Sequence, residues 1–176
     1  MTFFKERLRA VKAFIFDVDG VLSMDTSPLD ENGDPVRTTN VKDGFAIRYA
    51  LQNGFQMAII TGANTQRVKL RYQKLGVEHI YLNSFNKSEC LDDFCAKTGI
   101  SKDEILYMGD DLVDYQIMQQ VGIPTCPLDA VPEIKAISLY ISDKKGGESC
   151  ARDVIEQVMR AQQKWFGQEI RNLKAD

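Results

Sequence analysis

The chain has 176 residues, 44% of them hydrophobic and 27% charged, with a formal net charge of -3. That length can bury the core of one ordinary domain, and no cluster of Lys and Arg offers a nucleic-acid footprint. No apolar run approaches a membrane span, and residues 1–12 lack the apolar centre of an export signal, so a cytoplasmic protein is expected.

Residues 12–16 (KAFIF) form a short β-branched and aromatic run that stops at Asp17-Val18-Asp19-Gly20. The run reads as a buried strand. Asp17 and Asp19 stand two apart at its carboxyl end, so their side chains point the same way if the strand continues. In parallel α/β sheets the chemistry sits at the carboxyl ends of strands. Two acids there, with no base beside them, suit a divalent cation. Taken alone, the pair also fits an acidic turn after a strand, but the whole sequence of strand, Asp17-Val18-Asp19-Gly20 and apolar Val21-Leu22 favours the site.

Residues 23–39 are polar and contain Glu31-Asn32-Gly33-Asp34, a strong hairpin signal. With Val36-Arg37-Thr38 as a returning strand, they predict a small β-hairpin flap beside the acid pair. The alternative is an irregular surface loop. Helical spacing of Phe45, Tyr49 and Leu51 predicts a helix over 41–53, stopped at Gly54. A strand over 56–60 follows and ends in Thr61-Gly62, whose hydroxyl and backbone N–H groups can receive phosphate oxygens. The next helix, over 65–75, places Val68, Tyr72 and Leu75 on one face.

His79, the only histidine, precedes a strand over 80–82 and is read as a structural or surface residue, which leaves a Ser-His-Asp or Cys-His hydrolase without its base. Lys87 stands just ahead of a helix over 88–98, where a point charge suits a phosphoryl group or an acidic nucleophile. A strand over 105–108 leads into Gly109-Asp110-Asp111, with Asp114 beyond. Adjacent acids repel unless a cation is present, although Asp111 also suits a helix cap. Leu112, Tyr115, Met118 and Val121 then predict a helix. A weak strand over 125–127, another over 139–141 and a last helix over 150–166 complete the pattern. The polar tail 167–176 is expected to lack order. Cys90, Cys95, Cys126 and Cys150 have no metal-type spacing and are read as reduced thiols, mostly in the core.

This alternation predicts one α/β domain over 1–176, a doubly wound Rossmann-like parallel sheet. Asp17, Asp19, Thr61, Lys87 and Asp110 each follow a strand, and such ends gather on one sheet edge. Residues 23–60 and 62–86 are used up by the flap, two helices and two strands, so no cap domain fits.

These motifs, in this order and over essentially the whole chain, resemble the haloacid dehalogenase superfamily. The closer resemblance is to its capless phosphatases of sialic-acid and lipopolysaccharide sugar synthesis. It implies Asp17 as a nucleophile that forms an aspartyl-phosphate, Asp19 as acid and base, and Thr61 and Lys87 as catalytic partners. It implies magnesium on Asp17, Asp110 and the Asp19 carbonyl. Asp111 and Asp114 are read as orienting water at the metal. Carried over residue by residue, the substrate contacts are Asp19, Asn40, Val41, Lys42, Asp43, Gly44, Arg48, Gly62, Arg71 and Lys87. Gly146-Gly147 and Arg152 also match.

The implied substrate is a sugar-acid phosphate: an eight-carbon 3-deoxy ketosugar acid 8-phosphate ahead of a nine-carbon 9-phosphate. The implied assembly is a homotetramer whose neighbouring subunit covers the site. Ala63 departs from the arginine of several members, and Ser149 and Asp153 depart from the usual Gly and Glu. Arg48 and Arg71 read equally as helix-surface cations, and Asp43 as a helix cap. A receiver-type switch would lack Asp19. An inactive binding homologue would not keep the full catalytic set.

Overall fold

Helices alternate with six strands along the chain in a computed structural model that describes residues 4–166. The elements are α1 (Phe4–Arg7), β1 (Ala13–Phe16), α2 (Val41–Gln52), β2 (Gln56–Ile60), α3 (Gln66–Gln73), β3 (His79–Tyr81) and α4 (Lys87–Thr98). They continue as β4 (Ile105–Met108), α5 (Tyr115–Met118), β5 (Ile123–Cys126), α6 (Pro132–Ile137), β6 (Tyr140–Ile141) and α7 (Cys150–Ala161). All strand pairs are parallel, in the order β3-β2-β1-β4-β5-β6. The order reverses between β1 and β4, and doubly wound sheets open a ligand crevice at such a point.

Side chains alternate across the pleat, so β1 feeds two cores. Phe14 and Phe16 pack with Ala46, Ile47 and Ala50 of α2 and with Val154, Ile155 and Val158 of α7. Val68 and Tyr72 of α3 join this face. Ala13 and Ile15 face Leu91 and Phe94 of α4, Ile117 and Met118 of α5, and Ile134 of α6. Burying both faces explains why the central strands read as continuous apolar runs. Register then aligns the strand ends, because Phe16 pairs with Ile59 of β2 and Met108 of β4.

The predicted doubly wound sheet forms, with local differences. The helix expected after Asp111 is split into a 3-10 turn at Leu112–Asp114 and the short α5, because the Asp114 carboxylate is drawn inward. The weak strand expected over 125–127 lies at Ile123–Cys126, with Pro124 interrupting its apolar pattern. Sequence reading missed α1 and α6; Pro132 sits at the first turn of α6, a favoured place for it. The last helix ends at Ala161, short of 166, because the chain turns through Gln163 with φ 58°. Trp165 and Phe166 then pack on Tyr49 of α2, at ring-centroid distances of 5.5 and 4.2 Å. The tail 167–176 lies outside the described residues.

The flap is a hairpin in outline only. The chain reverses at Asp30–Asp34, where the Asp30 N–H donates to the Asp34 carbonyl (2.9 Å), but a single antiparallel bridge, Leu29 to Pro35, pairs its arms. Pro28 and Pro35 remove two backbone donors, which prevents a ladder. At the flap base, the Thr38 N–H donates to Ser23 Oγ (2.9 Å) and the Met24 N–H to Thr38 Oγ1 (3.1 Å). Among the described residues, no helix is long and apolar enough to cross a membrane.

Candidate active site

The ends of β1, β2 and β4 and the start of α4 converge on one cavity of about 460 Å³. Its walls include Asp17, Asp19, Thr61, Gly62, Lys87, Asp110 and Asp111. Four separate stretches of sequence are thus brought together, three of them by the register of neighbouring parallel strands.

Asp17 continues β1, its N–H donating to the Met108 carbonyl (3.1 Å). One carboxylate oxygen accepts the Val18 N–H (2.6 Å) and the other lies 2.8 Å from Lys87 Nζ. Lys87 is the first residue of α4, and its ammonium also donates to Asp114 Oδ1 (2.7 Å). That same oxygen accepts the buried Tyr107 hydroxyl (2.5 Å), and Asp114 Oδ2 accepts the Asp110 N–H (3.1 Å). Asp114 therefore anchors Lys87 and braces the loop that carries Asp110.

Burial and the Asp114 charge push the Asp17 carboxyl up to about 7, against the opposing pull of Lys87. Burial, then Asp114, Asp17 and Asp111, push Asp110 up to about 8. Burial alone would lower the Lys87 ammonium, but Asp17 and Asp114 outweigh it and raise it. One ammonium thus serves a crowd of carboxylates in a desolvated place. Oxygens of Asp17, Asp110 and Asp114 lie within 4.8 Å of one another. This hard, all-oxygen, charge-rich donor set fits Mg²⁺.

Two glycines make the crowding possible. Gly20 has φ 77°, and a side chain there would collide with the Asp110 carboxylate. A side chain at Gly109 would collide with Asp114. The loops after β1 and β4 can therefore touch.

Thr61 is buried after β2, and its hydroxyl accepts the Ala63 N–H (3.1 Å). Its carbonyl accepts the Ser84 N–H (3.0 Å), tying the β2 and β3 loops together. Asp111 accepts the Leu112 N–H (2.7 Å), so it caps its turn while lining the cavity.

The remaining predicted contacts lie elsewhere in the chain. Asn40 caps α2, accepting from the Lys42 and Asp43 N–H groups, and donates to the Gly147 carbonyl (2.9 Å). Val41 is exposed, and Lys42 lines a groove with Arg152 and Glu156 of α7. Asp43 is buried; its Oδ1 accepts the Arg152 N–H (2.7 Å), and its Oδ2 has no partner among the described residues. It is a cap, but for α7 and not for its own helix. Gly44 leaves room for the Arg71 guanidinium. Arg48 donates to the Lys74 carbonyl (2.9 Å) on the surface. Arg71 lines a smaller cavity of about 130 Å³ between the flap and α3.

Sequence reading missed Ser84 and Phe85 on the cavity wall and, above all, Arg37. Arg37 Nε and Nη2 each donate to one oxygen of Asp19, both at 2.8 Å. It is the only cation in residues 23–39, a signal that was available.

A model of haloacid dehalogenase-like hydrolases matches residues 79–152. A Salmonella typhi 3-deoxy-D-manno-octulosonate 8-phosphate phosphatase is 35% identical over 88% of this chain and 82% of its own length. The crystal structure of the Yersinia pestis enzyme of that name has a TM-score of 0.89 at 30% identity, covering 93% of this chain and 89% of that one. The Moraxella catarrhalis enzyme, solved with magnesium, phosphate and KDO, has a TM-score of 0.88 at 29% identity over 97% of each chain. Sequence, sheet order and acid constellation agree: the chain is a haloacid dehalogenase-like hydrolase and belongs to the family of the 3-deoxy-D-manno-octulosonate 8-phosphate phosphatases.

Proposed function

We propose that this protein hydrolyses 3-deoxy-D-manno-octulosonate 8-phosphate to the free sugar acid and phosphate, with Asp17 as nucleophile and Asp19 as acid and base. The observation that carries the reading is the buried Asp17–Lys87–Asp114 cluster at the floor of an open cavity.

An Asp17 oxygen attacks phosphorus while the bond to the sugar oxygen breaks, leaving an aspartyl-phosphate and an alkoxide that takes a proton from Asp19. Asp19 then removes a proton from water, which attacks the same phosphorus and returns Asp17 as a carboxylate with release of phosphate. Lys87 orients Asp17 and, with the Thr61 hydroxyl and local N–H groups, offers donors to the equatorial oxygens. Asp17, Asp110 and the Asp19 carbonyl would hold Mg²⁺, which supplies positive charge to the phosphoryl group.

Ala63 favours keeping the nine-carbon 9-phosphate as a second reading, because the small side chain leaves space and removes a cation. In either reading Asn40–Gly44, Arg48 and Arg71 are the sugar contacts, completed in an assembled homotetramer in the cytoplasm. Phe85, 88% exposed, and the exposed Val113 both line the cavity and support a subunit cover over the site. The deciding measurement is catalytic efficiency with magnesium on the eight-carbon and nine-carbon acids and a neutral hexose phosphate. Equal efficiency on the neutral sugar would leave only a general phosphatase. Light scattering that gives an active monomer would remove the subunit cover.

A further inference from the structure

Both oxygens of Asp19 are held by one side chain. Arg37 reaches them with two parallel N–H donors at 2.8 Å each, the fork geometry that guanidinium groups use for carboxylates. The arginine is the more buried partner, 14% exposed against 47% for Asp19. Arg37 also stands in the wall between two cavities, since it lines both the Asp17 cavity and the smaller one between the flap and α3.

That smaller cavity is lined by charges of both signs. Arg67 and Arg71 line it together with Thr38, Thr39 and Thr65. Asp30 and Asp34 also line it, but Asp30 Oδ1 is engaged with the Asn32 and Asp34 N–H groups. Arg37 thus has arginines, hydroxyls and two aspartates on one side and the Asp19 carboxylate on the other. Its partner group is chemically the same as the acid function of a sugar acid, and the two would compete for the same fork.

We propose that Arg37 is a carboxylate-exchange latch: it holds Asp19 in the flap until the carboxylate of the substrate takes over the guanidinium and frees Asp19 to turn toward the leaving oxygen. This rests on the sugar-acid reading above. Arg37 is in this sense a positioning and specificity-determining residue. An acidic substrate releases the acid/base as it binds, whereas a neutral sugar phosphate binds its phosphate and leaves the latch shut. Discrimination then falls on kcat and not only on KM. It also gives the flap a purpose where the described residues form no cap domain.

The test uses the full chain with magnesium. In Arg37→Gln, Asp19 is free with any substrate, so kcat on a neutral hexose phosphate is expected to rise toward that on the eight-carbon acid, KM for the acid to rise, and the preference for the acid to fall about tenfold or more. Inhibition by the dephosphorylated sugar acid should weaken while inhibition by inorganic phosphate stays put. Equal loss on both substrates, or weaker inhibition by phosphate, would overturn the latch.

A second variant does not depend on how Arg37→Gln folds. Asp19→Asn removes the competing carboxylate, so equilibrium binding of the free sugar acid should tighten severalfold. Unchanged binding there would also overturn it. If the wild type itself shows no preference for the acid, the substrate reading and the latch fall together. If the wild type prefers the acid and Arg37→Gln keeps that preference, the latch alone falls.

Discussion

The Lys87 ammonium lies 2.8 Å from the Asp17 carboxylate, and both side chains are almost entirely out of solvent. Lys87 has a second acid, Asp114, at 2.7 Å, so one cation answers two buried anions. Charges in such a place are stable only as a set, because each would be costly alone.

Removing the cation should therefore be severe. Lys87→Met is expected to destabilise the fold by about 3–5 kcal/mol, the usual cost of leaving buried charge without a partner. Magnesium should restore more of the melting temperature in this variant than in the wild type, because it would supply positive charge to the same oxygens. Thermal melts of both proteins with and without the ion decide it, and an equal magnesium effect would count against the cluster as the ion site.

Asp17→Asn keeps the shape of the side chain and removes the nucleophile. Turnover should drop by several orders of magnitude with the far-ultraviolet spectrum unchanged. Near-native steady-state rates would rule out Asp17 as the attacking group.

Asp19→Asn should slow hydrolysis of a sugar phosphate about a hundredfold or more, since an alkoxide leaving group needs a proton. The loss should be much smaller on an aryl phosphate, whose leaving group departs unaided. Comparing the two substrates in one variant separates loss of proton transfer from loss of shape.

Asp43 predicts a pH effect away from the catalytic cavity. Burial pushes its carboxyl up to about 6, against the Arg152 and Ser149 backbone N–H groups and the Arg152 charge. The folded state thus holds a proton that the unfolded chain, with its ordinary value near 3.8, has released. Stability from this group is full at low pH and is lost as pH rises through about 6. Relative to Asp43→Asn, wild-type stability should decline by up to about 3 kcal/mol between pH 4 and 7. Urea unfolding of both proteins across that range measures it, and a constant difference would refute it.

The central sheet was legible because β1, β2 and β4 are buried on both faces and carry unbroken apolar runs. The acids were legible because each follows such a run. Arg37 stood out as the only cation of residues 23–39, but its partner Asp19 was not legible, because a loop carries no period that says where its side chains go. The inward turn of Asp114 was hidden for a related reason: its destination, Lys87, is set by the β3–α4 connection and not by its own helix pattern. Asp43 looked like a cap for the helix it begins, but the α2–α7 contact gives it to Arg152.

Trp165 is the only tryptophan of the chain, and it is buried edge-on to Tyr49, with the Arg152 guanidinium 5.4 Å from its ring. It lines neither the Asp17 cavity nor the one beside the flap. The intrinsic emission of this protein is therefore an optical gauge of the α2–α7 seam. It should stay quiet while ligands come and go at the catalytic edge and shift sharply when that seam parts.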